Sequence, residues 1–324
     1  MKENSNNTGY FIFSLDTELG TGYFDMDEER IRLFSMDGSR ERENISRILD
    51  LLEEYQIVAT WAVVGHIFYD QCENCEICPI LEWKGKYKSY EEAYKTRHPL
   101  WYGADVINLL LKNNMKHEIA FHGYSHETFN TMSREKAEIE IQEFTRVASR
   151  KGIVAKSIVF PRNQVAHLDL FKKYGFLCYR SEESLPLLMG NKNIFERATK
   201  NLDHILGVFT PPIYELRDFV SQDDWVNSIA TQHLFGFSRK TDILLDSLGL
   251  PNLRVRRIAK AIRKAAIQKI VAHVWAHPEE FRTDGAFSKL LNICERFAEE
   301  VAAGRMKTIT MIDMAHMVAQ THER

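Results

Sequence analysis

The stretch HEIAFHGYSH, His117 to His126, runs an apolar segment directly into a histidine, a glycine and, four residues on, a second histidine. Ile119, Ala120 and Phe121 read as a strand covered on both faces, as in a parallel sheet. His122 and His126 stand at the spacing of two ligands on one helix face. Gly-Tyr-Ser between them is poor helix material next to a strand end, so a turn that brings both imidazoles to one point is expected. Two imidazoles plus a carboxylate form a common catalytic zinc set with one position open for water.

Working outward, further apolar runs lie at YFIFSLD (10–16), IVATWAVVG (57–65), SIVFPR (157–162), KIVAHVWAH (269–277) and MKTITM (306–311), with a weaker one at FLCYR (176–180). Helical periodicities separate them: 43–55, 104–114, 133–150, 165–175, 253–266 and 287–304. This alternation predicts an α/β chain around a parallel sheet. Ser133 suits a helix N-cap, and Gly175 and Gly304 suit C-terminal positions. Two long irregular regions, about 66–100 and 181–250, are read as insertions in a single domain spanning 1–324, since no linker divides the chain.

Asp16, His122, Arg162 and His277 each end an apolar run. In a parallel α/β barrel the C-terminal strand ends share one face, where catalytic residues collect. Four such endings point to a common site. SLDTEL supplies two carboxylates, Asp16 and Glu18, spaced so that one binds a metal while the other stays available as a base.

Bulk properties narrow the function classes. The 324 residues are 44% hydrophobic and 27% charged, with net charge -3. A packed core is accessible, and no overall basic excess suggests nucleic-acid binding. No run approaches the ~18 apolar residues of a membrane span. The polar opening MKENSNNTGYF lacks a signal-type apolar stretch, and five cysteines describe no disulfide framework, so the cytoplasm is the expected setting.

SLDTELG (14–20), HGYSH (122–126), FPRNQ (160–164) and VWAHPEEF (274–281) resemble, in order and placement, the motifs of the NodB-homology polysaccharide deacetylases, carbohydrate esterase family 4. VATWAVVGH (58–66) is similar to that family's second strand. The resemblance implies a deformed (β/α)7-type barrel with its active site at the C-terminal strand ends. The first motif departs from the usual adjacent aspartates and is similar to a D-x-E variant branch. The resemblance then implies Asp16 as base and Glu18, His122 and His126 as ligands of a divalent ion, expected to be zinc. It implies His277 as general acid and Arg162 as the partner that holds Asp16 ionised, although proline precedes arginine here. A backbone N–H near Tyr124 is the implied oxyanion donor, and Asp224-Trp225 the implied pair orienting the catalytic histidine. His273 is read as lining the pocket.

The implied activity is metal-dependent N-deacetylation of a saccharide: a sugar nucleotide, a lipid-linked precursor or an oligosaccharide, as in surface-polysaccharide assembly. A deformylase or ureide amidohydrolase of the same fold, or a sugar-binding protein with a decayed site, are the alternatives. Trp83, Trp101, Tyr102 and Trp225 are candidate sugar-stacking rings or core. Cys72, Cys75 and Cys78 in CENCEIC are read as a loop of reduced thiols or an accessory metal site, with His66 or His98 as a further ligand. RVRRIAKAIRKAAIQK (254–269) is a basic amphipathic helix with either a solvated face or one directed at an anionic surface.

Overall fold

Strand β1, Gly9–Thr17, is buried at all nine positions: it pairs on both edges and both its faces are covered. One edge takes β8 (Val271–Ala276) from Tyr10↔Val271 to Leu15↔Ala276. The other is shared by β2 (Thr60–Val63), opposite Ser14–Thr17, and β9 (Met306–Thr308), opposite Gly9–Phe11. This computed structural model describes residues 8–23, 33–70, 98–181, 211–220, 225–235, 244–245, 247–250, 252 and 255–322.

From β2 the sheet continues through β3 (Glu118–Phe121), β4 (Ser157–Val159), β5 (Cys178–Ser181) and β6 (Val226–Ile229); β7 (Gln232–His233) pairs β8, and every pairing between these strands is parallel. β6 and β7 stand at opposite ends of this order, yet only Ala230 and Thr231 separate them in sequence. Ala230 N–H donates to the Ser181 carbonyl and Thr231 N–H to that of His273. One kinked segment therefore joins the two edges, giving the seven staves of a deformed (β/α)7 barrel. β6 and β7 fall inside the region read as irregular. VNSI and QH carry no apolar run, and pairing to β5 and β8 makes them strands.

Among the described residues the α-helices are α1 (Ser39–Glu54), α2 (Ala104–Lys112), α3 (Arg134–Ser149), α4 (Leu168–Lys173), α5 (Val255–Gln268), α6 (Asp284–Ala302) and α7 (Met311–His322). Ser133 caps α3 by accepting from Lys136 N–H at 3.3 Å. SIVFPR is strand only to Val159. It then turns through Pro161–Asn163, and Arg162 sits exposed at φ 53°, off the strand end. MKTITM likewise stops as a strand at Thr308 and opens into α7.

Strand alternation sorts side chains into two cores. Phe11, Phe13, Leu15, Trp61 and Phe121 belong to the larger core that the surrounding helices cover. Tyr10, Ile12, Ala62, Ala120 and Val159 form the smaller one, where Met311, Met314, Ala315 and Val318 of α7 pack. Above Tyr10 and Ile12, the same face of β1 continues as Ser14 and Asp16. The barrel interior thus changes from apolar to polar along β1. Among the described residues, no helix is long and apolar enough to cross a membrane.

His273 of β8 stands at that transition. It is fully buried, with Nε2 2.8 Å from Ser14 Oγ and Nδ1 2.9 Å from Ser228 Oγ. It is a hydrogen-bonded wall residue joining β1, β6 and β8. Burial pushes its pKa from 6.5 down to about 3. The unfolded chain takes up a proton below 6.5 that the folded ring refuses, so this contribution to stability is present above pH 6.5 and is lost as pH falls toward 3. The slope is at most about 1.4 kcal/mol per pH unit. Urea unfolding between pH 7 and pH ~4 is expected to show that decline, flattened in His273→Gln, which does not titrate. An unchanged slope in the variant would assign the acid sensitivity elsewhere.

Candidate active site

Asp16 ends the interior row of β1. Both its oxygens are taken by one guanidinium: Arg180 Nη1 donates to Oδ1 and Nη2 to Oδ2, each at 2.6 Å. Arg180 comes from β5 and is 1% exposed, while Asp16 is 3% exposed. Arg180 also donates to Ser14 Oγ at 3.1 Å and to Asn163 Oδ1 at 3.2 Å, with its guanidinium carbon 4.3 Å from the centroid of the Trp275 ring. The partner of Asp16 is therefore Arg180 and not Arg162. The FPRNQ turn points Arg162 outward, while β5 carries Arg180 into the barrel interior. FLCYR carries the same signal, an apolar run closed by arginine, within only five residues. Burial opposes the Asp16 charge; Arg180 outweighs it and keeps the carboxyl below its usual pKa.

Glu18 leaves the end of β1 and turns inward beneath Gly22, where an added Cβ would fall 1.7 Å from Glu18 Oε2. Its Oε1 lies 2.9 Å from His122 Nε2 and 3.2 Å from His126 Nε2. The two imidazoles converge through a turn, not a helix: Gly123 has φ 74° and His126 φ 67°. A Cβ on Gly123 would meet Pro161 Cγ at 3.1 Å, so that position needs glycine for both conformation and space. α3 holds the turn from behind. Glu140, fully buried, accepts from Tyr124 N–H at 2.6 Å, Ser125 N–H at 3.0 Å and the Ser125 hydroxyl. An oxyanion donor was expected from a backbone N–H near Tyr124; those of Tyr124 and Ser125 are committed to Glu140.

The donor set fits a cation. His122 Nδ1 is 2.7 Å from the Val159 carbonyl, which can only accept, so Nδ1 carries the proton. In the neutral ring, the Nε2 lone pair then faces a carboxylate oxygen at 2.9 Å, two acceptors in contact. His126 is 3% exposed, and neither of its ring nitrogens makes a directed hydrogen bond. Burial lowers its pKa, favouring the neutral ring that ligates metals. The ligand atoms of Glu18, His122 and His126 lie within 4.8 Å of one another, so a divalent ion among them would satisfy all three. The Val159 carbonyl on Nδ1 is the outer partner that orients a ligating histidine.

His277 follows β8. Its Nε2 is 3.5 Å from Glu18 Oε1 and 3.9 Å from Asp16 Oδ2, so it sits beside both carboxylates and not across a substrate-wide gap from Asp16. Its Nδ1 is 3.1 Å from Glu280 Oε2, which lies 2.9 Å from His233 Nε2 of β7. Burial would lower the His277 pKa; the charges of Glu280 and Glu18 outweigh it and hold it well above 6.5. Among the described residues, the carboxylate that contacts Nδ1 of this histidine is Glu280, three residues along in VWAHPEEF. Asp224 lies outside the described residues, and Trp225 is buried against Tyr179. His233 had no strand signal to mark it.

Trp101 and Tyr102 belong to the large core, and His66 Nδ1 donates to the Trp101 carbonyl at 3.1 Å. Trp83, Cys72, Cys75 and Cys78 lie outside the described residues, as does the His98 side chain.

Residues 26–159 match the family model described as polysaccharide deacetylase. No curated protein matches the sequence. Among solved structures, a candidate polysaccharide deacetylase from Mycobacterium smegmatis is similar over 99% of this chain and 94% of its own, at 15% identity and TM-score 0.61. PuuE allantoinase is similar over 99% and 93%, at 13% identity and TM-score 0.58. At these identities the structural likeness speaks for the fold. The family match spans β2, β3 and the HGYSH turn, so this part of the chain is similar to the polysaccharide deacetylases, and the chain as a whole shares the fold of those structures.

Proposed function

We propose that the chain is a metal-dependent N-deacetylase of the D-x-E branch, a single NodB-like domain over residues 1–324 that removes acetyl groups from an N-acetylated sugar. One observation supports this above the rest. Asp16 and Glu18 lie two residues apart in different electrostatic settings, Asp16 clamped by a guanidinium and Glu18 facing two imidazoles. Neighbouring carboxylates with separate partners are suited to separate roles.

Glu18, His122 and His126 would hold the ion, zinc being the natural choice for that set. When bound it supplies Lewis acidity toward water and the acyl carbonyl. Asp16 keeps lone pairs beyond those occupied by Arg180 and accepts the proton of the attacking water. Arg180 keeps Asp16 ionised and fixes its direction. His277, charged through Glu280, donates a proton to the departing nitrogen, which cannot leave as an amide anion. The proposed substrate is a sugar nucleotide, a lipid-linked saccharide or an oligosaccharide in surface-polysaccharide assembly, and the expected setting is the cytoplasm. A formamide or ureide would use the same groups, so acetate release from N-acetylated sugars, measured beside formate and ammonia release from those alternatives, tests the reading directly.

Metal analysis of purified protein is expected to find about one divalent ion per chain at this site, lost in His122→Ala and His126→Ala. Full retention by both, with Cys72, Cys75 and Cys78 also replaced, would remove the ligand assignment. Asp16→Asn is expected to keep the ion and slow hydrolysis at least ~100-fold, whereas Glu18→Gln weakens ion binding. Swapped phenotypes would exchange the two roles.

The His277 assignment makes a separate prediction. His277→Ala is expected to remove the alkaline limb of the pH–rate profile and to harm an amide more than an acetate ester, whose alkoxide leaves more readily. Because Glu280 raises the His277 pKa, Glu280→Gln lets it fall, and the alkaline limb moves to lower pH. Equal losses on amide and ester, with an unmoved limb, would reduce His277 to a wall of the pocket.

A further inference from the structure

The charge on this chain is unevenly placed. Residues 253–269 carry seven Lys and Arg and no Asp or Glu, in a chain of net charge -3. α5 divides this segment. Its apolar face, including Ile258, Ala261, Ile262 and Ala265, is buried in the barrel. Arg257 also turns inward and donates to Gln232 Oε1 at 3.0 Å. Arg256, Lys260 and Arg263, at helical spacing, are left exposed on one face.

Those three residues line a cavity of about 620 Å³ with Arg296 of α6. Among the described residues, no carboxylate lines it. Two amides, Asn252 and Asn292, complete its polar wall, and Leu250 forms part of its edge. Leu250 belongs to a turn in which Leu248 N–H donates to the Leu244 carbonyl and Leu250 N–H to that of Leu245. Leu245 is buried and anchors the turn, while Leu244, Leu248 and Leu250 are 55%, 61% and 47% exposed. Asn252 Nδ2 donates to Ser288 Oγ at 3.0 Å, tying the turn to α6.

A single exposed leucine is ordinary; three between positions 244 and 250, beside a basic cavity that no carboxylate lines among the described residues and whose Arg296 pairs with Glu299, form an apolar patch. Apolar prongs flanked by cations complement a surface that is anionic at the headgroups and apolar beneath. A soluble phosphate ligand would use the cations and leave the leucines unexplained. A solvated helix face would need neither the leucines nor the walled cavity. Because the barrel already uses the apolar face of α5, insertion falls to the leucine turn and charge attraction to the helix.

We propose that the exposed leucines Leu244, Leu248 and Leu250 and the basic face of α5 dock this protein peripherally on an anionic lipid membrane. α5 follows β7, so its first turn stands at the C-terminal end of the strands, the end that carries His277. Docking here would place the mouth of the site near the bilayer. The proposal rests on the flank of the barrel and holds whether or not the deacetylase reading is correct, since its test uses no turnover.

The test is flotation of the full chain with vesicles of phosphatidylcholine alone and of an equimolar mixture with phosphatidylglycerol. Wild type is expected to float with the mixture, to be released by high salt, and to ignore phosphatidylcholine. Arg256→Gln/Lys260→Gln/Arg263→Gln is expected to lower partitioning on the order of 100-fold, from roughly a fivefold effect per basic residue at an anionic leaflet. Leu248→Ser/Leu250→Ser is expected to lower it at least ~10-fold with the charges intact. Circular dichroism and unfolding midpoints confirm that the variants fold, and the salt response of wild type tests the electrostatic half without any variant. Equal wild-type flotation with both vesicle types, no flotation with either, or full flotation of the triple variant overturns the proposal. Tight binding of inorganic pyrophosphate without flotation also overturns it, and would make the cavity a site for a soluble phosphate compound.

Discussion

The Arg180–Asp16 pair is the interaction on which the site depends. Both groups are almost fully removed from water, a costly placement that two short parallel hydrogen bonds and further partners offset. Ser14 and Asn163 take further guanidinium protons, Trp275 covers its face, and His273 completes the hydrogen bonding of Ser14. The pair joins β1 to β5 across the barrel interior and leaves Asp16 ionised and fixed in direction. Such a pair is weak evidence of stability, since a well-packed apolar replacement often does as well. Its worth lies in a carboxylate whose direction and charge are both set.

Around that carboxylate, the other polar groups of the candidate site are each held by a buried or half-buried neighbour. Val159 of β4 directs the His122 ring, and Glu140 of α3 holds the turn that carries His126. Glu280 directs His277 and is itself paired with His233. The reactive atoms lie at the loop-bearing end of the barrel, but the groups that aim them stand on strands, a helix and the first turn after β8. This arrangement gives loop residues the precision of a rigid scaffold.

The barrel accommodates this polar cluster by changing character along its axis. Tyr10, Ile12, Ala62 and Ala120 meet α7 in an apolar plug, while Ser14, Asp16, Arg180 and His273 occupy the next layer. Without that plug the polar layer would open to water from below, and the Arg180–Asp16 pair would weaken as the local dielectric rose.

Much of this was legible in the sequence, and for identifiable reasons. Parallel strands buried on both faces appear as near-continuous apolar runs, so β1, β2, β3 and β8 and the residues that end them could be read directly. The H-x-x-x-H turn declared itself because Gly123 interrupts any helix between the two histidines. Partnership could not be read in this way. Arg162 and Arg180 both follow apolar runs, and only the fold shows the first on an outward turn at φ 53° and the second inside the barrel. Glu280, Glu140 and His233 carried no periodic signal, because a hydrogen bond between polar side chains and a turn or strand end leaves no apolar pattern along the chain. β6 and β7 were invisible because their pairing to distant strands, and not their own side chains, makes them strands. The sequence alone determined that Asp16, His122 and His277 close apolar runs and at which end of the strands they stand. Tertiary structure decided which charge meets which, since that depends on distances in space between residues that are 164 apart in the chain for Arg180 and Asp16.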